Sequence, residues 1–157
     1  GIYITEKLGV NWKEPERVII GADTTANVGQ PALSPDDNIL YFVSDAFNSK
    51  GQHDIFMTTF DRRSKTWKEP TNLGSKVNTD REEYYPFISG DGYLYWASNG
   101  LPGMGGLDIF RIKLGEDGMP DPKAEAENME FPINTSSDDF GLIFQGDKDE
   151  VGFLLLI

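Results

Sequence analysis

Residues 86–97, with the sequence Pro-Phe-Ile-Ser-Gly-Asp-Gly-Tyr-Leu-Tyr-Trp-Ala, decide the fold of this chain. Two apolar runs flank a Gly-Asp-Gly turn, which is the chemistry of a β-hairpin. The same pattern stands 55 residues earlier, where Pro-Ala-Leu-Ser at 31–34 is followed by Pro-Asp-Asp-Asn and an apolar run at 39–43. A hairpin that returns at a nearly fixed interval predicts a repetitive all-β protein.

Other segments recur at nearly the same interval. Trp-Lys-Glu-Pro at 12–15 returns at 67–70, and Asp-Ile-Phe at 54–56 returns at 108–110. Each copy therefore contains a first strand, a turn, a second strand, a third strand that begins at the Asp, and a looser fourth segment near the Trp. The second strand is apolar at successive positions, which is typical of a strand that is buried on both faces.

The chain neither begins nor ends at a boundary between two copies of this repeat. Ile-Tyr-Ile at 2–4 matches Ile-Phe-Met at 55–57, so the chain is expected to open at a third strand. A last partial copy ends with Gly-Phe-Leu at 152–154, the start of a second strand. We predict a single β-propeller fragment over residues 1–157, with blade parts at 1–25, 26–79, 80–134 and 135–157.

The predicted blades are four-stranded and antiparallel, and the chain holds about three of them. Closed propellers need about 4–8 blades, so three blades do not close a ring. We therefore expect a partial propeller that the rest of the same polypeptide completes, or half of a six-bladed ring formed with a second copy of the chain.

The amino-acid composition limits the classes of partner that the chain is expected to bind. Lys and Arg number 14 against 26 Asp and Glu, which gives a net charge of −12. Nucleic acid and anionic membrane surfaces require basic patches, so neither is expected as a partner. The longest apolar stretch is far shorter than the ~18 residues of a membrane-spanning helix, so no direct membrane insertion is expected. With no cysteine and one histidine, His53, the sequence indicates no metal or cofactor.

The repeated unit resembles a known family. Its pattern Pro-x-x-Ser-x-Asp-Gly-x-x-Leu-Tyr-Phe, followed by Ser-Asp/Asn and Gly-x-x-Asp-Ile-Phe, resembles the WD40-like Pro-Asp repeat of TolB-type propellers. Two further elements make this resemblance more specific: Trp-Lys-Glu-Pro-x-Asn-Leu-Gly at 67–74 and Asn-Thr-x-x-x-Glu at 78–83. With these elements the chain is similar to the propeller of OmpA-family periplasmic lipoproteins of Bacteroidota-type bacteria.

This resemblance implies a non-enzymatic scaffold that binds protein partners of the cell envelope. The implied location is the periplasm, in association with the outer membrane, within a type IX secretion assembly or an OmpA-like peptidoglycan-linked complex. The third copy departs from the pattern, since it lacks an equivalent of Trp67 and carries Leu-Leu-Leu-Ile at 154–157. Two alternatives stay open: a carbohydrate-binding module, and the propeller domain of a peptidase or glycoside hydrolase.

The connections before the first strands carry the candidate partner-binding residues. In propellers of this type these connections crowd round one mouth of the central channel, where aromatic, Arg and carboxylate side chains could dock a protein. The alternative is that Asn, Asp and Thr only cap turns there. The candidates are Asn78, Thr79, Asp80, Arg81, Glu82, Glu83, Tyr84, Asn134, Thr135, Asp138 and Asp139, with Asp23 and Thr24 at the corresponding place in the first copy.

Several other carboxylates are expected to be structural. Asp36, Asp37 and Asp91 lie in the hairpin turn, where Asp accepts backbone N–H bonds more often than it binds calcium. Asp54 and Asp108 recur at equivalent positions, which favours a hairpin lock over catalysis. The adjacent pairs at 82–83 and 138–139 should point to opposite faces of a strand, so neither pair alone forms a glycosidase site.

The aromatic and imidazole side chains also have expected places. Trp96 lies in an apolar second strand and is predicted to be core. Trp12 and Trp67 recur at one position of the repeat, which favours packing between blades over carbohydrate binding. His53 has Leu107 as its counterpart in the second copy, so we expect an exposed loop residue.

Overall fold

The computed structural model describes residues 1–21, 25–46 and 49–143. Within these ranges the chain has β-strands and no helix, which confirms the all-β class. No helix long and apolar enough to cross a membrane is found in the described part. The strands are β1 (Tyr3–Ile4), β2 (Lys7–Leu8), β3 (Asn11–Trp12), β4 (Glu16–Arg17), β5 (Val28–Leu33), β6 (Ile39–Ser44), β7 (Asp54–Asp61), β8 (Thr66–Trp67), β9 (Thr71–Asn72), β10 (Glu83–Ile88), β11 (Tyr93–Ser98), β12 (Asp108–Lys113) and β13 (Glu127–Asn128).

Two sheets are built in the same way. In the first sheet β5, β6 and β7 are antiparallel neighbours, and β7 also pairs with β8 and β9; in the second sheet the order is β10-β11-β12-β13. A β-bulge interrupts the first pairing of each sheet, between Gly29 and Ala32 and between Tyr84 and Phe87. The sequence repeat therefore corresponds to a repeat of antiparallel sheets.

The N-terminal strands form half of a similar sheet. β1 pairs with β4 and β2 pairs with β3, as β7 pairs with β9 and β8 in the first complete sheet. The backbone bonds match as well: Lys13 N–H donates to Glu6 O at 2.9 Å, and Lys68 N–H donates to Thr59 O at 3.0 Å. Residues 3–17 thus adopt the pairing of third and fourth strands, as expected from the sequence.

Each complete sheet buries both of its faces. On β6, Leu40 and Phe42 pack with Ile2, Val18 and Ile20, which flank the N-terminal strands. The alternate side chains of β6 pack against the second complete sheet, because successive residues of a strand point to opposite faces. The shared apolar cluster between the two sheets contains Tyr41, Val43, Ile55, Met57, Leu94, Trp96, Phe110 and Ile112.

The contacts between repeats are head to tail. Leu94 and Trp96 of β11 are the equivalents of Leu40 and Phe42 of β6, and each pair packs on the repeat that precedes it. The opposite face of β11 carries Tyr95, which packs with Leu142 of the third copy. The same face of each repeat therefore contacts the repeat before it.

Aspartates lock the turns of both sheets. Asp54 accepts backbone N–H bonds from Lys50 at 2.8 Å and Gly51 at 3.1 Å, and Asp108 accepts two such bonds from its own loop at 2.8 and 3.0 Å. This confirms the predicted hairpin lock. In the hairpin turn, Asp36 accepts the Asn38 N–H at 3.3 Å, and hydrogen bonds, above all from a serine hydroxyl, lower the pKa of its carboxyl.

Gly51 and Gly105 occupy equivalent positions at which the loop before the third strand touches the next connection of the chain. A Cβ on Gly51 would lie 1.9 Å from the carbonyl oxygen of Arg81, and one on Gly105 would lie 1.9 Å from that of Ser137. Arg81 O also accepts the Gln52 N–H at 2.9 Å, and a backbone oxygen cannot swing aside as a side chain can. Only glycine fits both positions without moving the next repeat.

We expect Gly51→Ala to lower the free energy of unfolding by about 1–3 kcal/mol, because an added methyl group must displace backbone. Urea unfolding followed by circular dichroism measures the change. Gly90→Ala is the matched control, since a Cβ there meets nothing within 4 Å and should cost no more than about 0.5 kcal/mol. Equal stability of the two variants would contradict the close approach.

Candidate functional site

A groove lies where the first strands of three consecutive copies converge. Its volume is about 390 Å³, and it is lined by residues 30–33, 85–88 and 141–143. These segments are β5, β10 and the corresponding part of the third copy. We refer to this feature as the first-strand groove. Its walls are mostly apolar, and Leu33 and Tyr85 remain partly exposed in it.

One position of the first-strand groove has the same unusual backbone in all three copies. Gln30, Tyr85 and Gly141 have φ values of 49°, 54° and 74°, in the left-handed region. For a residue with a side chain this conformation costs about 1–2 kcal/mol. The Tyr85 N–H donates to Gln30 Oε1 at 2.6 Å, which links two of the three strained positions. Strain of this kind concentrates at functional sites, so it marks the groove as a candidate.

Four neighbouring side-chain rings form a row that includes Tyr85 of the first-strand groove. The centroid of His53 lies 5.1 Å from that of Tyr84, Tyr84 lies 6.1 Å from Tyr85, and Tyr85 stacks on Phe140 at 5.1 Å. All three separations fall within the range of favourable aromatic pairs. These four residues, called the aromatic row below, come from three different copies of the repeat.

Glu82 lies beside the aromatic row. The Tyr84 hydroxyl donates to Glu82 Oε1 at 2.9 Å and lies 3.0 Å from His53 Nδ1. Burial and, secondly, the hydrogen bond to Glu82 raise the pKa of Tyr84 to about 12. The phenol therefore stays protonated and acts as a hydrogen-bond donor rather than as a base.

Four of the predicted partner-binding residues are buried and bonded inside the chain: Asn78, Glu83, Asn134 and Asp139. The Asn78 amide accepts the Ile55 N–H, donates to Ile55 O and donates to Asn72 Oδ1, each at 2.8 Å. Asn134 repeats the arrangement at Ile109 with distances of 2.8 and 2.9 Å. Both asparagines clamp the backbone of a third strand.

The threonines next to them cap the connection. The backbone N–H and hydroxyl of Thr79 donate to the Glu83 carboxylate at 3.0 and 2.6 Å, and the Ser98 hydroxyl donates to it at 2.9 Å. Burial raises the pKa of Glu83, although these donors act in the opposite direction. Thr135 N–H donates to Asp139 at 2.6 Å in the next copy. The capping alternative therefore accounts for these residues.

The remaining candidates are more accessible. Asp80, Arg81 and Asp138 are exposed, and Glu82 and Tyr84 are half-buried. Binding of a partner by these residues stays a prediction, and Asp23 and Thr24 lie outside the described residues. The two members of each adjacent carboxylate pair differ in burial, as expected for side chains on opposite faces. Glu83 and Asp139 are buried, whereas Glu82 and Asp138 are not.

The tryptophans follow the sequence expectation in part. Trp96 is 1% exposed and belongs to the core, as predicted. Trp67 packs on Phe60 of its own sheet, with ring centroids 5.1 Å apart, and also against the apolar cluster that contains Ile2 and Ile20 of the preceding repeat. Trp12, in contrast, is 64% exposed, so the prediction of packing is wrong for this residue. The residue opposite Trp12 is Lys7, where Trp67 has Phe60, and the Lys7 ammonium lies 5.9 Å from the centroid of the Trp12 ring.

His53 differs from the expectation as well. The residue is half-buried against Tyr84 and is not a free loop side chain. Nothing in the local sequence signals this contact, since Tyr84 lies 31 residues away. Gln30, Tyr85 and Phe140 were not among the predicted site residues either. Their only sequence signal is their place immediately before or within a repeated first strand.

No protein-family model and no curated protein matches the chain. The described residues contain no group of three or more His, Asp or Glu side chains that could hold a metal ion.

Proposed function

We propose that this chain is part of a β-propeller and serves as a non-enzymatic scaffold that binds an extended segment of a partner protein. The binding surface is the first-strand groove together with the aromatic row. The partner is a protein of the cell envelope, and the assembly is periplasmic and associated with the outer membrane. That location rests on the resemblance of the repeat to OmpA-family lipoproteins, and the blade boundaries remain a prediction.

Head-to-tail packing supports the propeller. When the same face of each unit contacts the preceding unit, the units form a ring if the rotation closes. Antiparallel sheets of about four strands arranged in this way are propeller blades, and their first strands surround the central channel. The first-strand groove is then one part of that channel.

The convergence of three equivalent strained positions is the observation that carries the binding proposal. Gln30 and Tyr85 adopt the left-handed region at the β-bulges of their first strands, a conformation that costs energy for a residue with a side chain. The bulges at these positions turn the Tyr85 ring towards Phe140. They thereby build an aromatic surface from side chains that belong to separate repeats.

The chemistry of this surface indicates the kind of segment that it binds. Leu33 and Tyr85 present apolar area inside the groove, and Glu82 stands at the end of the aromatic row. Asp80 and Asp138 are exposed on the same connections. Aromatic faces beside carboxylates favour lysine and arginine side chains. We therefore expect a segment that combines basic and apolar residues.

Selection of a random peptide display library on the immobilised chain tests the proposal. Enriched peptides should carry Lys or Arg next to apolar residues, and Tyr85→Gly should weaken their binding at least tenfold in calorimetric titrations. Glycine suits the positive φ of this position and stands at the equivalent position 141, so the variant removes the ring without adding strain.

Phe131→Ala is the control for this experiment, because Phe131 is an exposed aromatic residue outside the groove. Its affinity for the selected peptides should equal that of the unmodified chain. Leu33→Ala, a second groove variant, should weaken binding like Tyr85→Gly. The proposal fails if no peptide is enriched, or if the selected peptides bind Tyr85→Gly and the unmodified chain equally well.

A further inference from the structure

The first strands β5 and β10 are edge strands of the two complete sheets. Each is paired on one side only, with β6 or β11, and no described strand pairs with its other side. Residues of both strands line the first-strand groove. Backbone groups that point away from β6 and β11 therefore face the groove, where a bound segment meets them.

These two free edges are protected against the addition of another strand. A β-bulge interrupts each of them, and a proline without an N–H stands in each bulge, Pro31 in β5 and Pro86 in β10. The Tyr85 N–H is already bonded to Gln30 Oε1 at 2.6 Å. Bulges and prolines are common means by which proteins protect sheet edges. A segment in the groove is therefore held mainly by its side chains.

The carbonyl group of Pro86 faces the groove. Ser89 N–H donates to Tyr93 O at 3.0 Å, and Phe87, two residues earlier, directs its N–H to β11 in the same way. The N–H and C=O of a trans peptide group point in opposite directions, so Pro86 O points away from β11. Pro86 is buried, and no donor of the described residues bonds to this oxygen. A buried carbonyl without a donor is costly, so this position favours a ligand that donates a hydrogen bond.

Pro31 repeats this arrangement in the first sheet. Ser34 N–H donates to Ile39 O at 2.8 Å, and Ala32 directs its N–H to β6 as well. The Pro31 carbonyl therefore points away from β6 and, unlike that of Pro86, belongs to an exposed residue. Each proline thus contributes an acceptor to the groove without a donor.

The two prolines and Tyr85 lie together in the groove. Pro31 follows Gln30 and Pro86 follows Tyr85, and the bond from Tyr85 N–H to Gln30 Oε1 joins the two residues that precede the prolines. Tyr85 is 39% exposed and lines the groove with both prolines. This part of the groove therefore combines an aromatic ring with two carbonyl oxygens.

An arginine side chain matches this combination of groups. Its guanidinium group is planar, carries several N–H donors and no acceptor, and stacks on aromatic faces. It is also more weakly hydrated than the ammonium group of lysine, so it costs less to bring against apolar walls. Glu82 at the end of the aromatic row and the net charge of −12 favour a positive charge.

We propose that the basic residue of the bound segment is an arginine, whose guanidinium stacks on Tyr85 and donates hydrogen bonds to Pro31 O and Pro86 O. This inference rests on the proposed function, because it concerns the same groove, and it adds which basic residue the groove selects. Lysine carries the same charge but has neither the planar face nor the fork of donors. The groove therefore discriminates between two residues that have equal charge.

Nuclear magnetic resonance titration of the isotope-labelled chain with two blocked tripeptides, Leu-Arg-Leu and Leu-Lys-Leu, tests this selection. The lysine peptide should bind about fivefold more weakly or worse, because it loses the stacking and the paired hydrogen bonds. A third peptide carries symmetric dimethylarginine in place of arginine. It should also bind more weakly, since methylation keeps the charge but blocks bidentate hydrogen bonding.

Tyr85→Gly locates the site, because glycine suits the positive φ of this position. The arginine and lysine peptides should bind this variant with similar affinities, since the ring on which the guanidinium stacks is gone. Phe131→Ala is the matched control, because it removes an exposed aromatic ring outside the groove. It should keep the preference of the unmodified chain for arginine.

Equal affinities of the arginine and lysine peptides for the unmodified chain, or an unchanged preference in Tyr85→Gly, overturn the inference. So does equal binding of the arginine and dimethylarginine peptides, because the proline carbonyls would then accept no hydrogen bond. Absence of binding by all three tripeptides at millimolar concentration overturns it as well. These results are distinct from failure of the proposed function, which depends on whether the display library enriches peptides that require Tyr85 for binding.

Discussion

Asn78→Ala is expected to lower the free energy of unfolding by about 3 kcal/mol or more. The buried amide of Asn78 makes three hydrogen bonds of 2.8 Å, two of them to the backbone of Ile55. Alanine would leave the N–H of Ile55 unsatisfied in the core, which costs about 1–3 kcal/mol. It would also remove the amide bonds to Ile55 O and to Asn72, each worth about 1 kcal/mol, although Ile55 O keeps the Leu73 N–H at 3.2 Å. Urea unfolding at neutral pH measures the loss.

Two further variants test this prediction: one should lose a similar amount of stability, and the other is a control that should lose little. Asn134→Ala removes the same clamp from Ile109 in the next copy and should cost a similar amount. Asn27→Ala removes an exposed amide that bonds Asp45 in a surface loop, and it should change stability by no more than about 0.5 kcal/mol. If Asn78→Ala were as stable as Asn27→Ala, the asparagine clamp would not be a structural element.

Trp96→Ala is expected to destabilise the protein by about 3–5 kcal/mol, the usual cost of removing a buried large aromatic side chain. The ring of Trp96 is 1% exposed and packs on Phe110 between the two complete sheets, with centroids 6.0 Å apart. The cavity would open at the contact between repeats. Its effect is measured by urea unfolding followed by far-ultraviolet circular dichroism.

Trp96→Phe should cost much less, about 1.5 kcal/mol or below, because the replacement stays aromatic and apolar. Phenylalanine already stands at the equivalent position of the first sheet, where Phe42 is fully buried. The indole N–H of Trp96 also has no hydrogen-bond partner in the described part of the chain, so its removal leaves no group unpaired. Equal losses for the alanine and phenylalanine variants would contradict this account of the contact.

Most of the strand order could be predicted from the sequence. The apolar second strands and the Asp-containing turns recur because each copy must bury two faces and close the same hairpin. The repeated Asp54 and Asp108 were correctly interpreted as locks for the same reason. These features depend on neighbours in the chain, which a repeat makes visible.

The candidate site could be predicted only in part. Asn-Thr-x-x-x-Glu drew attention to the right connections, but the residues of that motif are mostly buried caps. Trp12 was placed wrongly because its packing depends on the identity of a residue on another strand, Lys7. Comparison of strand partners, rather than of single positions, would have corrected it.

By itself, the sequence determined that this protein is all-β, that its sheets repeat, and which side chains fill the spaces between them. Those properties follow from apolar periodicity and turn chemistry, which act over a few residues. Tertiary structure alone decided that His53, Tyr84, Tyr85 and Phe140 form one row. Such features join residues from different copies, and the distance between copies depends on how whole sheets pack, which local sequence patterns do not contain.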